Sequence, residues 1–279
     1  MKVLVTGAKG QLGTDLVKIF KEQFIVYGLG RAELDITNLE QTKQVIYELQ
    51  PDIIVHAAAY TAVDLAETDE EKAYRVNGVG TRNLAICAEQ VGAKMCYIST
   101  DYVFDGASTT PYREYDNTNP LSVYGKSKRA GELLVQSLCS KYFIVRTSWV
   151  YGIHGNNFVK TMMKLAKERE HIKVVNDQYG SPTYTVDLAC FLKELIITEK
   201  YGIYHSSNTG ICTWYEFAKA IFEEIDAKVI LEPCSTEEFP RPAPRPMYSA
   251  MEHLSIKIND FSDLRDWRLA LKEYIKSSN

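Results

Sequence analysis

Tyr124 and Lys128 stand four residues apart in a stretch that could carry out acid–base chemistry. Ser122 precedes them as a candidate helix N-cap, and Leu134 and Leu138 continue a helical pattern beyond them. Residues four apart share one face of a helix, so the phenol and the ammonium are expected side by side. A free tyrosine has a pKa of about 10, and a neighbouring cation lowers that pKa by favouring phenolate. The pair is therefore a candidate general acid and base, and an exposed helix face is the alternative interpretation.

A second candidate site lies at the start of the chain, where Gly7, Gly10 and Gly13 follow an apolar run over residues 2–6. The run predicts a buried strand, and the glycines open a helical pattern that continues through Phe20. In this setting glycine lets the backbone approach a pyrophosphate, and the helix N-terminus supplies amide donors. The pattern predicts dinucleotide binding.

The choice of dinucleotide depends on the tip of the second predicted strand, residues 24–29. Enzymes that bind NAD place a carboxylate there for the ribose hydroxyls, and this sequence has none before Glu33. Arg31 could instead pair with a 2′-phosphate, and Lys9 in the glycine turn could assist it. These residues favour NADPH, with NADH as the open alternative, and Asp35 with Ile36 is expected to flank the adenine.

Strand and helix patterns alternate through the first half of the chain, which predicts an α/β fold with a Rossmann-like, doubly wound parallel sheet. Residues 1–150 are the predicted nucleotide-binding domain, and 151–279 mainly a smaller α/β substrate-binding domain. The segment 185–208 is expected to return to the first domain. A single helix over 70–91, a strand over 228–232 and a last helix over 264–276 are further predictions.

Composition limits the possible partners. The 279 residues carry a net charge of −4, which does not indicate a nucleic-acid or anionic-membrane surface. No apolar run approaches the length of a membrane span. The six cysteines include no CxxC pair, so free thiols in a cytoplasmic protein are expected rather than disulfides or a metal site.

Several sequence blocks resemble known proteins. GAKGQLG (7–13), STDYVFDG (99–106) and YGKSK (124–128), in that order, resemble the extended short-chain dehydrogenase/reductase family. Five further blocks resemble the dTDP-4-dehydrorhamnose reductase family within it: DIIVHAAAYTAVD (52–64), RTSWVYG (146–152), GNNF (155–158), DQYGSPT (177–183) and RPAPRP (241–246).

The resemblance implies an oxidoreductase in which NAD(P)H reduces the C4 keto group of dTDP-4-dehydro-L-rhamnose to give dTDP-L-rhamnose. Tyr124 would be the proton donor, and Lys128 would lower its pKa and hold the nicotinamide ribose. Thr100 would bond the same carbonyl oxygen as a preorganised donor. The other cofactor-binding residues that the resemblance implies are Gln11, Leu12, Ala57, Ala58, Ala59, Asn77 and Ser99. The other implied substrate-binding residues are Tyr102, Trp149, Asn157, Gln178 and Arg241.

Magnesium is doubtful on these residues. Some members of the resembling family form a magnesium-linked dimer through acidic side chains, and Asp15 and Asp187 fall in the corresponding regions. Val186 stands where a further carboxylate is expected, so too few hard oxygen ligands are assembled. We expect no metal and a monomer or weak homodimer.

Alternative functions remain open at this point. Another nucleotide-sugar reductase or epimerase would share Tyr124 and Lys128. A non-catalytic NADP-binding regulatory subunit, like the beta subunit of methionine adenosyltransferase, would keep the fold but not an intact catalytic set. Dehydration is disfavoured, because Asp101 and Tyr102 follow Thr100 where related dehydratases have an acidic pair.

Overall fold

The computed structural model describes residues 1–278, and its main sheet has six parallel strands in the order β2-β1-β3-β4-β5-β10. The strands of all the sheets in the described residues are β1 (Lys2–Thr6), β2 (Ile25–Leu29), β3 (Ile53–His56), β4 (Lys94–Thr100), β5 (Tyr142–Thr147), β6 (Val150–Tyr151), β7 (His171–Val175), β8 (Tyr179–Gly180), β9 (Thr183–Tyr184), β10 (Gly202–His205), β11 (Cys212–Thr213) and β12 (Ile230–Cys234). The central strands are almost wholly apolar and buried, as strands covered by helices on both faces must be.

Helices cover both faces of this sheet. The helices of the described residues, some of which lie in the second half away from this sheet, are α1 (Gln11–Phe20), α2 (Leu39–Leu49), α3 (Val63–Ala66), α4 (Glu70–Tyr74), α5 (Thr81–Val91), α6 (Val123–Leu138), α7 (Phe158–Glu168), α8 (Thr185–Leu195), α9 (Trp214–Glu224), α10 (Leu254–Ile258) and α11 (Trp267–Ser278). Leu16 of α1 and Leu192 of α8 belong to the core on one face. Ile46 of α2, Leu84 of α5 and Val135 of α6 belong to the core on the other.

A third core lies in the second half of the chain. Val159 of α7, Phe217 of α9 and Leu271 of α11 are fully or almost fully buried in it. Three two-stranded sheets accompany these helices, formed by β7 with β12, β6 with β9, and β8 with β11. The segment of α8 and β10 lies with the first half, because β10 pairs with β5 and α8 packs on α1.

Local structure departs from the sequence predictions at three places. The predicted helix over 70–91 is divided, because residues Arg75–Gly80 form a π-helical turn between α4 and α5. Such turns insert one extra residue and are frequent at functional sites. The strand predicted over 228–232 is instead β12, Ile230–Cys234, in register with β7. The last helix begins at Trp267 rather than at Leu264, because the amide of Trp267 bonds the Thr209 carbonyl at 3.0 Å instead of a carbonyl one helical turn earlier.

Among residues 1–278, no helix combines the length and the apolar character needed to cross a membrane.

Candidate active site

The carboxyl ends of β1, β3 and β4 open into one cleft of about 790 Å³. β1 lies between β2 and β3, so the chain runs from β1 to β2 on one side and then crosses β1 to reach β3 on the other side. Ligands of open α/β sheets bind at such a switch point, outside the carboxyl ends of the strands. The residues that follow each strand, Gly7, Ala57 and Asp101, all line the cleft.

Most of the predicted site residues come together in this cleft. Those that line it are Gly7, Lys9, Gly10, Gln11, Leu12, Gly13, Arg31, Asp35, Ile36, Ala57, Ala58, Ala59, Ser99, Thr100, Tyr102, Tyr124, Lys128 and Trp149. Asn77, Asn157, Gln178 and Arg241 are not part of its lining.

The glycine turn fits a dinucleotide. Gly7 has a φ of +67°, and a Cβ built on it would lie 2.6 Å from the amide nitrogen of Ala58. Only glycine adopts this conformation at so close an approach of β1 to the segment after β3. Gly10 is the N-cap of α1 and supplies no side-chain hydrogen bond there, so the first amides of the helix face the cleft without a side-chain cap. Unpaired helix-terminal amides are well suited to bind a phosphate.

The outer end of the cleft is charged and exposed. Lys9 forms an ion pair with Glu33, and Glu33 also accepts the amide of Gly30 at 3.0 Å. Arg31, which also lines the cleft, is exposed. The Asp35 carboxylate accepts the amide and hydroxyl of Thr37 at 3.0 and 2.8 Å, and these bonds hold its pKa below the usual range. Arg31 and Lys9 thus offer positive charge, part of which Glu33 neutralises.

Tyr124 stands in the first turn of α6. Ser122 is the N-cap, as predicted, and its hydroxyl accepts the amide of Gly125 at 3.1 Å. The Tyr124 ring meets the Tyr102 ring edge-on at 5.5 Å. Burial raises the pKa of Tyr124 to about 12, although the nearby Thr100 hydroxyl lowers it in part. The expectation that Lys128 depresses the pKa of Tyr124 is wrong for the free protein, because desolvation of the phenolate outweighs any such effect.

Lys128 is buried on the same helix face. Its ammonium donates to the Ile98 carbonyl at 2.7 Å and lies 4.0 Å from the centre of the Tyr97 ring. Burial lowers the pKa of Lys128 to about 7, and Glu132 opposes the shift. The ammonium is therefore fixed by protein contacts and titrates near neutral pH.

A buried ion pair lies one turn beyond Lys128 and was not predicted. Glu132 accepts the Nε and Nη2 of Arg146 at 2.8 and 2.9 Å and the Ser99 hydroxyl at 2.6 Å. Burial raises the pKa of Glu132, but Arg146 and Ser99 together hold it below the usual range. The pair joins α6 to β4 and β5. Sequence spacing carries no signal for it, because Glu132 and Arg146 belong to different elements.

Thr100 ends β4 beside an unpredicted carboxyl group. Its hydroxyl donates to Asp101 Oδ1 at 2.9 Å and accepts the Tyr102 amide at 3.2 Å. Asp101 lines the cleft and is 2% exposed, and burial raises its pKa to about 6. Its Oδ2 has no donor at hydrogen-bond distance, although the Ser249 hydroxyl lies near enough to lower the pKa. The sequence feature that could have identified Asp101 as a site residue is its position directly after a buried strand.

Similarity to known proteins agrees with this geometry. The family model described as RmlD substrate binding domain matches residues 1–279. The chain belongs to this family. Among its relatives, the spore coat polysaccharide biosynthesis protein SpsK of Bacillus subtilis is 46% identical, over 99% of this chain and 97% of SpsK. The dTDP-4-dehydrorhamnose reductase of Aggregatibacter actinomycetemcomitans is 43% identical over 97% of each chain.

Solved structures of similar proteins confirm the predicted fold class. The dTDP-4-dehydrorhamnose reductase of Bacillus anthracis, solved in complex with NADP, has a TM-score of 0.97 and is 50% identical over 99% of each chain. A more distant match is the UDP-glucose 4-epimerase of Thermus thermophilus in complex with NAD. Its TM-score is 0.86 at 20% identity, which shows the shared fold alone.

Two of the predicted site residues, Asn77 and Asn157, do not line the cleft but bond residues near it. The Asn77 amide group, in the π-helical turn, exchanges hydrogen bonds with the backbone of Tyr60 and donates to Ser127 on α6 at 2.9 Å. Asn157 caps α7 and donates to Gln11 in the glycine turn at 2.8 Å. Both amides therefore bond protein partners, and for the buried Asn77 such pairing is what burial of a polar group requires.

Gln178 and Arg241 also lie away from the cleft lining. Gln178 is 6% exposed, and its amide donates to Thr236 at 2.9 Å. The Arg241 side chain is half exposed, packs over the Phe239 ring and lies 4.0 Å from Asp64. In the same proline-rich tract, Arg245 holds Asp64 with two hydrogen bonds of 2.5 and 3.0 Å. Both arginines of the tract therefore pair with Asp64.

The two candidate metal ligands are engaged elsewhere. Asp15 accepts the Thr185 hydroxyl at 2.6 Å, and Asp187 pairs with Arg265 at 2.7 Å. Within residues 1–278, no group of three His, Cys, Asp or Glu side chains is placed to hold a metal ion.

Proposed function

We propose that this chain is a dTDP-4-dehydrorhamnose reductase, which reduces the C4 keto group of dTDP-4-dehydro-L-rhamnose with NADPH to give dTDP-L-rhamnose. The observation that carries the proposal is the meeting of Thr100 and Tyr124 with the glycine turn in one cleft. The chain belongs to the family described as RmlD substrate binding domain, and its relative in Aggregatibacter actinomycetemcomitans, 43% identical, carries the name of that reductase.

The cofactor would be held mainly by backbone. The turn from Gly7 to Gly13 would receive the pyrophosphate at the N-terminus of α1, and Ala57 to Ala59 border the same groove. Arg31 lies at the end where a 2′-phosphate is expected, and NADPH is the cofactor we propose, in agreement with the NADP found in the Bacillus anthracis reductase. When bound, NADPH supplies the hydride to the keto carbon.

Tyr124 supplies the proton. Its raised pKa, about 12, keeps the phenol protonated at neutral pH, as a donor requires. An alkoxide is more basic than a phenolate, so transfer of the proton to the reduced C4 oxygen remains favourable. Tyr124 then regains a proton from solvent, which balances the reaction as one hydride and one proton added to the carbonyl.

Lys128 and Thr100 complete the proposed catalytic set. The ammonium of Lys128, held at the Ile98 carbonyl, lines the same cleft and would favour the negative charge that develops on the oxygen, because preorganised charge of this kind is effective in a buried cleft. Thr100 holds its hydroxyl beside the phenol through its bonds with Asp101 and Tyr102. Trp149 lines the same end of the cleft and offers an aromatic face to the apolar face of a 6-deoxy sugar.

The test is a turnover assay with dTDP-4-keto-6-deoxy-L-mannose and NADPH. We expect loss of the nicotinamide absorbance in step with formation of dTDP-L-rhamnose, identified by chromatography against the authentic sugar. Sugar isomerisation without net NADPH oxidation would identify an epimerase. Tight NADPH binding with no sugar conversion, under conditions where a known reductase is active, would overturn the proposal in favour of a non-catalytic binding protein.

A further inference from the structure

Trp149 has an unusual backbone conformation for a large side chain. It lies between β5 and β6, lines the cleft and has a φ of +47°. Bulky residues rarely adopt positive φ, because the conformation is strained for any side chain with a Cβ. The conformation persists only where the surroundings determine it strongly, and strain of this kind concentrates at functional sites.

Two neighbours from the second half of the chain determine the position of the Trp149 ring. The Trp214 ring stacks on it with centroids 3.6 Å apart and planes at 10°. Gly180 borders its edge, where an added Cβ would lie 2.6 Å from the indole Cε2. The ring is therefore covered on one face and at one edge, which leaves its remaining surface toward the cleft.

Trp214 is itself firmly held. It is the first residue of α9, whose N-terminus is closed by a capping box in which Thr213 and Glu216 bond each other's backbone amides at 3.1 and 2.8 Å. The Phe158 ring packs on Trp214 at 4.6 Å. Since Trp214 is not part of the cleft lining, it acts on a ligand only through Trp149.

We propose that Trp214 is a positioning residue for the sugar end of the cleft. By stacking on Trp149 it holds that ring in its left-handed backbone conformation, ready to receive the hexose. This inference rests on the proposed function for its substrate, a nucleotide-linked 6-deoxy sugar. A ring that is held in place before binding loses little freedom when the sugar arrives, so its loss weakens sugar affinity rather than cofactor affinity.

The experiment begins with circular dichroism, which needs no substrate. Two stacked indoles couple excitonically and give a paired positive and negative band. The chain has three tryptophans, and the third, Trp267, stacks on neither of the others. We expect the paired band in the parent protein and in Trp267→Phe, and its loss in Trp214→Phe and in Trp149→Phe. A parent protein without the band would overturn the proposed stack.

The second measurement is steady-state kinetics with dTDP-4-keto-6-deoxy-L-mannose. Trp214→Ala is expected to raise the KM for the sugar about tenfold, because the Trp149 ring would occupy the sugar-binding position for less of the time. The Kd for NADPH should stay within about twofold. Trp214→Phe should recover most of the sugar KM, because a phenyl ring still stacks. The matched control is Tyr215→Ala, which removes the neighbouring ring of α9 from the same core without a ring contact to Trp149.

Gly180→Ala disturbs the position of the Trp149 ring while it leaves Trp214 intact. The added methyl group should displace the Trp149 ring and raise the sugar KM in the same direction, even where Trp214→Ala folds poorly. The inference would be refuted if the sugar KM of Trp214→Ala and that of Gly180→Ala both lay within twofold of the sugar KM of Tyr215→Ala. A parent protein that shows the paired band but does not turn over the sugar would instead refute the proposed function.

Discussion

The two ends of the cleft carry similar charges in opposite surroundings. At the inner end Thr100, Asp101 and Lys128 are each 5% exposed or less. At the outer end the side chains of Lys9 and Glu33 are 69% and 41% exposed. Both ends combine a lysine with a carboxylate, but burial brings the pKa of Lys128 to about 7 and that of Asp101 to about 6.

The comparison shows that solvation, rather than residue type, decides what a charged side chain can do. Desolvation disfavours the charged form of a buried group, so the inner end can exchange protons near neutral pH. At the outer end water and salt screen each charge, so the same residue types can only attract and orient an anion. Substitutions at the two ends should therefore differ in size, in pH dependence and in salt dependence.

The largest effect is expected at Tyr124. Tyr124→Phe removes the proton donor and keeps the ring, and general acid catalysis is worth ~10² to 10⁴ in rate. We expect turnover to fall by that factor with NADPH affinity nearly unchanged, measured by steady-state kinetics and cofactor titration. The matched control is Tyr115→Phe, since Tyr115 is 65% exposed and outside the cleft. Turnover of Tyr124→Phe within about twofold of the parent would exclude the proton-donor role.

Lys128→Met should weaken NADPH binding while it stabilises the cofactor-free protein. The folded-state pKa of Lys128, about 7, lies below the unfolded value, so above pH 7 the unfolded chain binds more protons and stability rises with pH. The burial penalty is thus greatest below pH 7, and the stabilisation by Lys128→Met should be larger at pH 6 than at pH 9 by about 3 kcal/mol. Urea unfolding at both pH values measures this difference.

The control for this prediction is Lys126→Met, an exposed lysine on the same helix. It should leave both NADPH affinity and the pH dependence of unfolding unchanged. If Lys128→Met shows no more pH dependence than Lys126→Met, the ammonium is already solvated and the contrast between the two ends of the cleft is lost.

Arg31→Ala tests the outer end. We expect NADPH affinity to fall about tenfold and NADH affinity to change little, because only NADPH carries the 2′-phosphate. The loss should diminish as salt rises, as expected for an exposed charge. Cofactor titrations at low and high salt measure both effects, with Arg82→Ala as an exposed control outside the cleft lining. An equal loss for both cofactors would show that Arg31 does not contact the phosphate.

The smallest effect is expected on removal of divalent ions. Asp15 and Asp187 already bond Thr185 and Arg265, so we expect excess EDTA to change neither turnover nor molecular mass. The measurement pairs the turnover assay with light scattering, each with and without EDTA. Loss of turnover together with a fall in mass would reveal a metal-linked assembly that these side chains do not account for.

Local signals determined several parts of the site in advance. The glycine turn, the Ser122 cap and the shared face of Tyr124 and Lys128 each depend on residues close in sequence. Turn geometry, helix capping and helical periodicity act over a few residues, and alternating strand and helix patterns extend them to the fold class. Single-sequence reasoning could therefore identify these features, and the family's blocks were recognisable for the same reason.

Other properties depended on contacts that only the folded chain makes. The pKa of Tyr124, the place of Lys128 under Ile98, and the stack of Trp214 on Trp149 join elements that are distant in sequence. Arg241 was expected to bind the substrate, but the fold places Asp64 against both Arg241 and its neighbour Arg245. Burial and pairing are collective outcomes of packing, and no local pattern in the sequence states which charge a side chain will meet or how much water will remain around it.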